Sequence, residues 1–198
     1  MSTPSPTRAR ILDRGLDLLS ARGLDGVTLG TLADAAGLSK SGLFAHFRSK
    51  EAVQLALLER AAAVADAAVV APAMEAEPGL PRLRALVERW FGWPARAGLR
   101  GGCPMAALQF ELDDAEGEVR AAALALDARW RGLLADLAAE AVWAGHLRDG
   151  LDLDQFVWEL CGIYLSHHAS ARFLRDAGAD GRARTAWEAL LARAGAAP

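Results

Sequence analysis

Between residues 28 and 50 the chain carries a group of side chains that can hydrogen-bond to a nucleic acid. The group contains hydroxyls, a histidine and the only two lysines of the protein, namely Thr28, Ser39, Lys40, Ser41, His46 and Lys50. Lysine donates to guanine O6 and N7, and serine donates or accepts at base edges. Gly42, which has no side chain, allows a close approach of the backbone. These residue types at this spacing predict DNA binding.

The predicted contacts divide between the phosphate backbone and the bases. Thr28, at a helix start, offers a hydroxyl and free backbone N–H groups to a phosphate, and we expect Lys50 to reach the backbone from the opposite side. His46 is assigned to the backbone as well, or alternatively to a solvated surface. The base-reading residues are those exposed on a short helix, Ser39, Lys40, Ser41 and Gly42. Arg8 and Arg10 are candidates for phosphate or minor-groove contacts.

Helical spacing of apolar residues shows which elements must hold these groups. The N-terminal part of the chain is predicted to form helices over residues 7–22, 29–36, 40–47 and 50–70. Thr28, Ser39 and Ser49 stand at the starts of three of them, and for Thr28 and Ser39 helix capping alone is an alternative to a DNA contact. Gly37 suits a left-handed turn. We expect the fourth helix to stop before Pro72.

This segment resembles the N-terminal domain of TetR/AcrR-family transcriptional regulators. The resemblance rests on Thr28-Leu-x-x-Leu-Ala-x-Ala-Ala-Gly-Leu-Ser-Lys40 followed by Leu43-Phe-x-His-Phe-x-Ser-Lys50, behind a helix that begins near Arg8, and it covers about residues 7–58. The one clear departure is Phe44. Family members usually have a tyrosine there, whose hydroxyl meets a backbone phosphate, so the resemblance implies a weakened positioning contact at Phe44.

The resemblance also implies an architecture and an activity. It places a three-helix helix-turn-helix DNA-binding domain over residues 1–48, with an arm over residues 1–6, and a helical ligand-binding and dimerisation domain over residues 49–198. The implied activity is that of a ligand-responsive regulator. It is expected to act as a repressor that binds double-stranded, palindromic operator DNA as a homodimer and is released by an unidentified small-molecule effector. Half-sites would then lie roughly 34 Å apart or a multiple of it.

Beyond residue 72 the pattern stays helical. Prolines and glycines mark loops over residues 72–81 and 98–104, and the predicted helices cover residues 83–91, a short stretch after 104, 119–145, 152–175 and 182–193. We find no strand-like alternation in the sequence. The fold class is therefore predicted to be all-α, with about nine helices.

Composition agrees with a cytoplasmic DNA-binding protein. Residues 1–50 contain seven basic and four acidic residues, a net charge of +3, whereas the remainder has 15 basic and 21 acidic residues, a net charge of −6. A basic N-terminal part on an acidic body is expected when only that part meets phosphate. The sequence shows no secretory signal and no apolar run of 18 residues, so we expect no membrane partner. No cofactor and no metal site are predicted.

The helix predicted over residues 152–175 is apolar on two sides, which favours burial against a second chain. We expect a two-fold homodimer whose interface is a four-helix bundle made from this helix and the last one. The alternative is a monomeric core helix. The predicted interface residues are Trp158, Cys161, Gly162, Leu165, Ala169, Phe173, Trp187, Leu190 and Leu191.

Effector contacts are predicted from aromatic and polar residues on otherwise apolar faces. The candidates are Trp90, Trp93, Met105, Phe110, Trp130, Phe156, Tyr164 and His167. Tyr164 and His167 would supply the few oriented polar groups of a mostly apolar pocket. The alternative for each is a core residue.

Two other function classes are alternatives to this one. A thiol- or metal-sensing regulator could use Cys103, placed at a predicted helix start, or Cys161, although both cysteines acting as small buried hydrophobes is the alternative. An enzyme could use Cys161 with His167 or His168, or His146 with Asp149. Because no phosphate loop, nucleophile elbow or metal-ligand spacing accompanies these residues, an enzyme is not expected.

Overall fold

The computed structural model of the protein describes residues 6–196, and in that range every regular element is helical, which confirms the all-α prediction. The α-helices are α1 (Pro6–Arg22), α2 (Leu29–Ala36), α3 (Lys40–Phe44), α4 (Lys50–Ala65), α5 (Ala71–Ala73), α6 (Leu80–Trp90), α7 (Trp93–Arg96), α8 (Pro104–Glu111), α9 (Glu118–Trp143), α10 (Leu153–Arg172) and α11 (Ala179–Arg193). A π-helical segment, Asp66–Val70, joins α4 to α5. The predicted arm, residues 1–6, lies outside the described residues except for Pro6.

The helix predicted over residues 40–47 is shorter than expected and ends at Phe44. Its last turn tightens, because the N–H groups of both His46 and Phe47 donate to the carbonyl of Leu43, at 2.9 and 3.0 Å. The His46 carbonyl accepts a hydrogen bond from the side chain of Arg8 instead of continuing the helix. A long-range contact thus ends a helix that the local pattern extends.

The prediction that the long helix stops before Pro72 is wrong. The helical path continues through the π-helical segment into α5, which contains Pro72 in its first turn. Proline has no N–H, and its ring clashes with the carbonyl four residues earlier in a regular α-helix. The wider π-helical turn immediately before Pro72 lets the chain pass this residue without breaking.

The chain divides into two compact units. The first contains the residues up to Ala65 together with Pro94–Leu126, and the second contains Asp66–Trp93 together with the chain from Asp127 onward. This division concerns packing alone, so the functional boundary at residue 48/49 stays a prediction.

The first unit is built around α1. Helix α1 packs against α2, α4 and α8, and α3 packs against α2. Its core contains the apolar residues that repeat at helical spacing, among them Ile11, Leu16, Leu19, Leu32, Leu43, Phe47, Leu57 and Leu58, each at most 2 % exposed. Burial of each such side chain contributes about 1.5–3 kcal/mol, which is what holds these short helices together.

The loop before α8 is hydrogen-bonded to the C-terminal half of α1. The backbone N–H of Gly101 donates to Ser20 Oγ and that of Gly102 to the Ser20 carbonyl, at 3.2 and 3.0 Å. A Cβ on Gly101 would lie 1.7 Å from that carbonyl oxygen, so only glycine fits. Arg100 adds an ion pair with Asp17, and its guanidinium, as a hydrogen-bond donor to that carboxylate, holds the pKa of Asp17 below its usual value.

The second unit is held together by α10 packed on α11 and by α6. Arg82 of α6 pairs with Glu140 of α9 at 3.0 Å, and Arg84 of α6 pairs with Glu188 of α11 at 2.6 Å. The apolar residues between these helices are buried, including Leu83, Leu86, Val87, Leu134, Ala138, Leu160, Trp187 and Leu191.

Candidate nucleic-acid interface and effector site

Three consecutive helices of the first unit begin with a hydroxyl cap. Ser39 Oγ accepts from the Gly42 N–H at 3.1 Å, and Ser49 Oγ accepts from the Ala52 N–H at 3.0 Å. Thr28 Oγ1 accepts from the Thr31 N–H at 3.1 Å, while the Thr28 N–H donates to Thr31 Oγ1 at 2.9 Å. This reciprocal pair is a capping box in which threonine replaces the usual glutamate. The caps confirm the predicted helix starts.

Gly37 adopts the left-handed conformation predicted for it, with φ 67°, between α2 and α3. Its N–H donates to the Asp34 carbonyl at 3.2 Å, and the following Leu38 N–H donates to the Ala33 carbonyl at 2.9 Å. Such a closed helix end turns the chain sharply, and α3 follows after only two further residues. The turn therefore fixes α3 against α2.

The start of α2 and the exposed side of α3 form one surface. A Cβ on Gly30 would lie 3.7 Å from Thr28 Oγ1 and 3.8 Å from Lys40 Cε, so both side chains border the same point. Lys40 and Ser41 are exposed, and Ser41 Oγ lies 3.0 Å from Ser39 Oγ. Gly42 is crowded, because a Cβ there would lie 3.3 Å from Ser39 Oγ. We define this surface as the α2–α3 surface, composed of Thr28, Ser39, Lys40, Ser41 and Gly42.

Arg8 has a structural role that the sequence did not reveal. Its guanidinium lies over the ring of Phe47, 4.2 Å from the centroid, and Nη1 donates to the His46 carbonyl at 3.0 Å. A guanidinium stacked on an aromatic ring and bonded to a carbonyl ties α1 to the end of α3. Arg10 is exposed and His46 is partly buried.

Lys50, the first residue of α4, is half-exposed. Its Nζ lies 3.7 Å from Asp25 Oδ1, and the Asp25 side chain is fully exposed. A pair of this kind contributes little and is easily exchanged for another anion. Phe44 is 49 % exposed at the end of α3, an unusual position for an aromatic ring without a hydroxyl.

Four of the predicted effector residues meet in an aromatic cluster of the second unit, composed of Trp90, Phe91, Trp130, Tyr164 and His167. Trp90 stacks on Tyr164 with centroids 4.0 Å apart, and Trp130 meets Trp90 edge-on at 5.0 Å. Phe91, which is not among the predicted effector residues, contacts Tyr164 and His167, with ring centroids 5.7 and 5.0 Å apart. Its position directly after Trp90 in the sequence is the feature that could have identified Phe91 as part of the cluster.

Two polar features mark the aromatic cluster. Trp130 Nε1 is buried without a hydrogen-bond partner, which costs about 1–3 kcal/mol for a donor removed from water. His167 Nε2 lies 2.7 Å from Asp180 Oδ1 in the first turn of α11, and the His167 side chain is 9 % exposed. An acceptor brought to Trp130 would remove the cost of its unpaired N–H.

The other four predicted effector residues lie outside the aromatic cluster. Met105 packs against the core of the first unit, and Phe110, on the same helix α8, is 68 % exposed. Phe156 meets Trp187 at 6.1 Å between α10 and α11, and Trp93 is buried at the start of α7. Core packing therefore accounts for Met105, Trp93 and Phe156, whereas Phe110 is an exposed ring on the surface.

The predicted interface residues separate into a buried and an exposed set. Cys161, Trp187, Leu190 and Leu191 are buried within the chain itself, so packing within the chain accounts for their apolar character and their assignment to the interface stays a prediction. Trp158 is 67 % exposed and Phe173 is 85 % exposed, with Gly162 and Ala169 also exposed and Leu165 partly so. A second helix of the same chain covers one apolar side of α10 and leaves the other open.

The two cysteines are buried and unpaired in the chain. Burial raises the pKa of the Cys161 thiol to about 11, against a smaller opposing effect of the nearby Arg131 guanidinium. The thiolate is the reactive form, so Cys161 is poorly suited to redox sensing. Cys103 is the residue before α8, as predicted, but it too is buried.

Among residues 6–196, no cluster of three or more histidine, cysteine, aspartate or glutamate side chains is placed to hold a metal ion. In the same range, no helix combines the length and apolar character needed to cross a membrane.

Comparison of the sequence with family models gives two matches that do not overlap. The model described as "Bacterial regulatory proteins, tetR family" matches residues 11–57, and the model described as "Tetracyclin repressor-like, C-terminal domain" matches residues 79–187. Together they cover the capped helices, the aromatic cluster and α10. No curated protein sequence matches the chain.

Solved structures share the fold over nearly the whole chain. A TetR transcriptional regulator from Chloroflexus aurantiacus is 24 % identical, with TM-score 0.82 over 94 % of this chain and 92 % of that one. A TetR-family regulator from Agrobacterium tumefaciens is 20 % identical, with TM-score 0.83 over 98 % and 100 %. AibR in complex with isovaleryl coenzyme A and operator DNA is 21 % identical, with TM-score 0.69 over 90 % and 97 %. The chain belongs to the TetR family of bacterial transcriptional regulators.

Proposed function

We propose that the protein is a ligand-responsive repressor that binds a palindromic operator as a homodimer and releases it when a small molecule binds. The observation that carries the DNA-binding part is the α2–α3 surface, where hydroxyls and Lys40 share one exposed patch while Leu32, Leu43 and Phe47 of the same segment are buried. A regulator of this kind acts in the cytoplasm, where the DNA is.

In this proposal, base edges are read by Lys40 and Ser41, the two exposed polar side chains of α3. Thr28 at the N-terminus of α2 and Lys50 at the N-terminus of α4 hold the phosphate backbone, because helix N-termini and ammonium groups both attract phosphate. Lys50 exchanges the exposed Asp25 for a phosphate at little cost. Arg8 packs on Phe47 and so supports the end of α3. Arg10, which is exposed, is then the N-terminal arginine proposed to contact DNA.

The homodimer is proposed to form through the open side of α10 and the neighbouring side of α11. Trp158 and Phe173 would supply the large apolar contacts, and Gly162 would allow a close approach because nothing lies within 4 Å of its Cβ position. Two-fold pairing of α10 and α11 gives a four-helix bundle. Large exposed aromatic side chains on one helix face are typical of an interaction site.

The effector is proposed to bind at the aromatic cluster. The unpaired Trp130 Nε1–H calls for a ligand that carries a hydrogen-bond acceptor, and Trp90, Phe91 and Tyr164 favour an apolar or flat body. The structurally similar AibR was solved with isovaleryl coenzyme A, whose acyl group combines an apolar chain with a carbonyl acceptor. A short acyl compound is therefore the first class of effector to test.

The DNA-binding proposal is tested by selecting double-stranded DNA from a random pool and measuring affinity at several salt concentrations. Lys50→Ala is expected to weaken binding of the selected sequence and to reduce the slope of log K against log salt by about one unit. The control is Arg148→Ala, which removes an exposed positive charge of the second unit. Failure to enrich any sequence, or equal slopes for Lys50→Ala and the wild type, would refute the proposal.

A further inference from the structure

The π-helical segment Asp66–Val70 stands where the chain passes from the first compact unit to the second. The first unit ends at Ala65 and the second begins at Asp66. The chain also passes between the units at α7 and within α9, but α9 is a regular α-helix from Glu118 to Trp143. The long helix that begins with Lys50 therefore loses its regular α-helical form at the residue where the chain enters the second unit.

The cause of the interruption is present in the sequence. In a regular α-helix, the ring of Pro72 would clash with the carbonyl of Ala68, a cost that disfavours the α form by a factor of roughly 100. One π-helical turn accommodates an additional residue and relieves the clash. Replacing it with an α-helical turn would change the phase of the helix by up to about 100° and its length by about 1.5 Å. Pro72 therefore favours the π form of residues 66–70 over a regular α-helical turn.

Both supports of the π-helical segment come from helices that carry the aromatic cluster. Asp66, its first residue, pairs with Arg129 of α9 at 3.1 Å, and Arg129 directly precedes Trp130. Helix α6, which packs against the segment, ends at Trp90. Val69 of the segment is buried at 1 % exposure. A ligand that moves Trp90 or Trp130 therefore acts on a helix that contacts the segment.

We infer that residues 66–70 form a helix-register switch, held in the π form by Pro72 and to a smaller extent by the exposed Asp66–Arg129 pair, through which occupancy of the aromatic cluster changes DNA binding. The inference rests on the proposed function. In this switch the π form is the one that binds the operator, and the α form is the released state. Coupling needs a discrete two-state element, and this segment supplies one.

The first test measures geometry and needs no DNA. Spin labels are placed on cysteines introduced at the exposed residues Ala35 and Ala177, one in each unit, and the distance between them is measured by pulsed electron resonance. Pro72→Ala is expected to shift this distance, whereas Pro78→Ala, at an exposed proline in the loop before α6, is expected to leave it unchanged. An unchanged distance for Pro72→Ala overturns the switch whether or not the protein binds DNA.

The second test uses the DNA sequence selected with the wild type. Pro72→Ala is expected to lower operator affinity at least tenfold without changing the salt slope, because no phosphate contact is lost, and Pro78→Ala is expected to match the wild type. Arg129→Ala, which keeps the proline, should lower affinity less and in the same direction. If Pro72→Ala unfolds by circular dichroism, Arg129→Ala carries the test. A shifted distance with unchanged operator affinity overturns the link to DNA, and failure of the wild type to enrich DNA refutes only the proposed function.

Discussion

The proposed dimer interface makes a prediction whose size follows from the exposure of one side chain. Trp158 is 67 % exposed on α10. A tryptophan buries about 150–250 Å² when covered, so roughly 100–170 Å² of Trp158 is available to a partner. At about 25 cal/mol per Å² this corresponds to about 2.5–4 kcal/mol per protomer. Two-fold symmetry places the residue in the interface twice.

Buried area overstates affinity in protein association, because ordering and desolvation oppose it. If only half of the burial energy of the two Trp158 side chains contributes to dimerisation, removing the indoles weakens the dimer by about 3 kcal/mol. This loss raises the dimer Kd by more than about 100-fold. Trp158→Glu adds a carboxylate that would be buried without a partner and so widens the difference. We expect this variant to be monomeric at micromolar concentration in sedimentation velocity, with an unchanged helical circular dichroism spectrum.

The chain offers a matched control for this experiment. Trp143, at the end of α9, is 90 % exposed and does not belong to the open side of α10. Trp143→Glu makes the same chemical change and is expected to leave the sedimentation coefficient as in the wild type. A dimer that persists in Trp158→Glu, or one that dissociates in Trp143→Glu, would refute the proposed interface.

Three further predictions concern the chain's stability and reactivity. Gly101→Ala is expected to lower the free energy of unfolding, measured in urea, by about 2–4 kcal/mol, because the loop must move away from α1 and lose two backbone hydrogen bonds. Gly132→Ala is the control: nothing lies within 4 Å of a Cβ at this position in the middle of α9, so the substitution should raise the free energy of unfolding by about 0.5–1 kcal/mol. Because the Arg100 hydrogen bond lowers the pKa of Asp17, the Asp17–Arg100 interaction stabilises the folded state fully above the pKa that Asp17 has in the unfolded chain. This stabilisation is lost as the pH falls through the lower pKa of the folded state. Asp17→Asn should therefore flatten the acid side of a stability–pH curve, and a curve as steep as the wild type would contradict this. Cys161, with a thiol pKa of about 11, should react with iodoacetamide at pH 7 far more slowly than a free peptide cysteine, and equal rates would contradict its burial.

The local features of the first unit were predictable from sequence because each depends on a few neighbouring residues. A hydroxyl before a helix caps it whatever the rest of the chain does, and the caps at Thr28, Ser39 and Ser49 were predicted and observed. The role of Arg8 was missed, since its partners lie 38 and 39 residues away in sequence. Periodicity carries no information on such distant contacts.

The second unit was harder to predict for a related reason. Periodicity shows that a helix has an apolar side but does not show which chain covers it, so Trp187 and Leu190 were assigned to a partner although packing of α10 on α11 in the same chain also accounts for their burial. Likewise Pro72 was expected to end a helix, because the rule for proline describes a regular α-helix and not the π-helical alternative.

The hydroxyl caps have a consequence for how this protein can diverge. With helix starts set by caps and with Leu43 and Phe47 holding α3 from inside, Lys40 and Ser41 make no contribution to the hydrophobic core. Substitutions at these two positions are therefore nearly neutral for folding. With base reading assigned to these two residues as proposed, one or two substitutions on α3 would change the DNA target of a gene duplicate and leave its fold as it was.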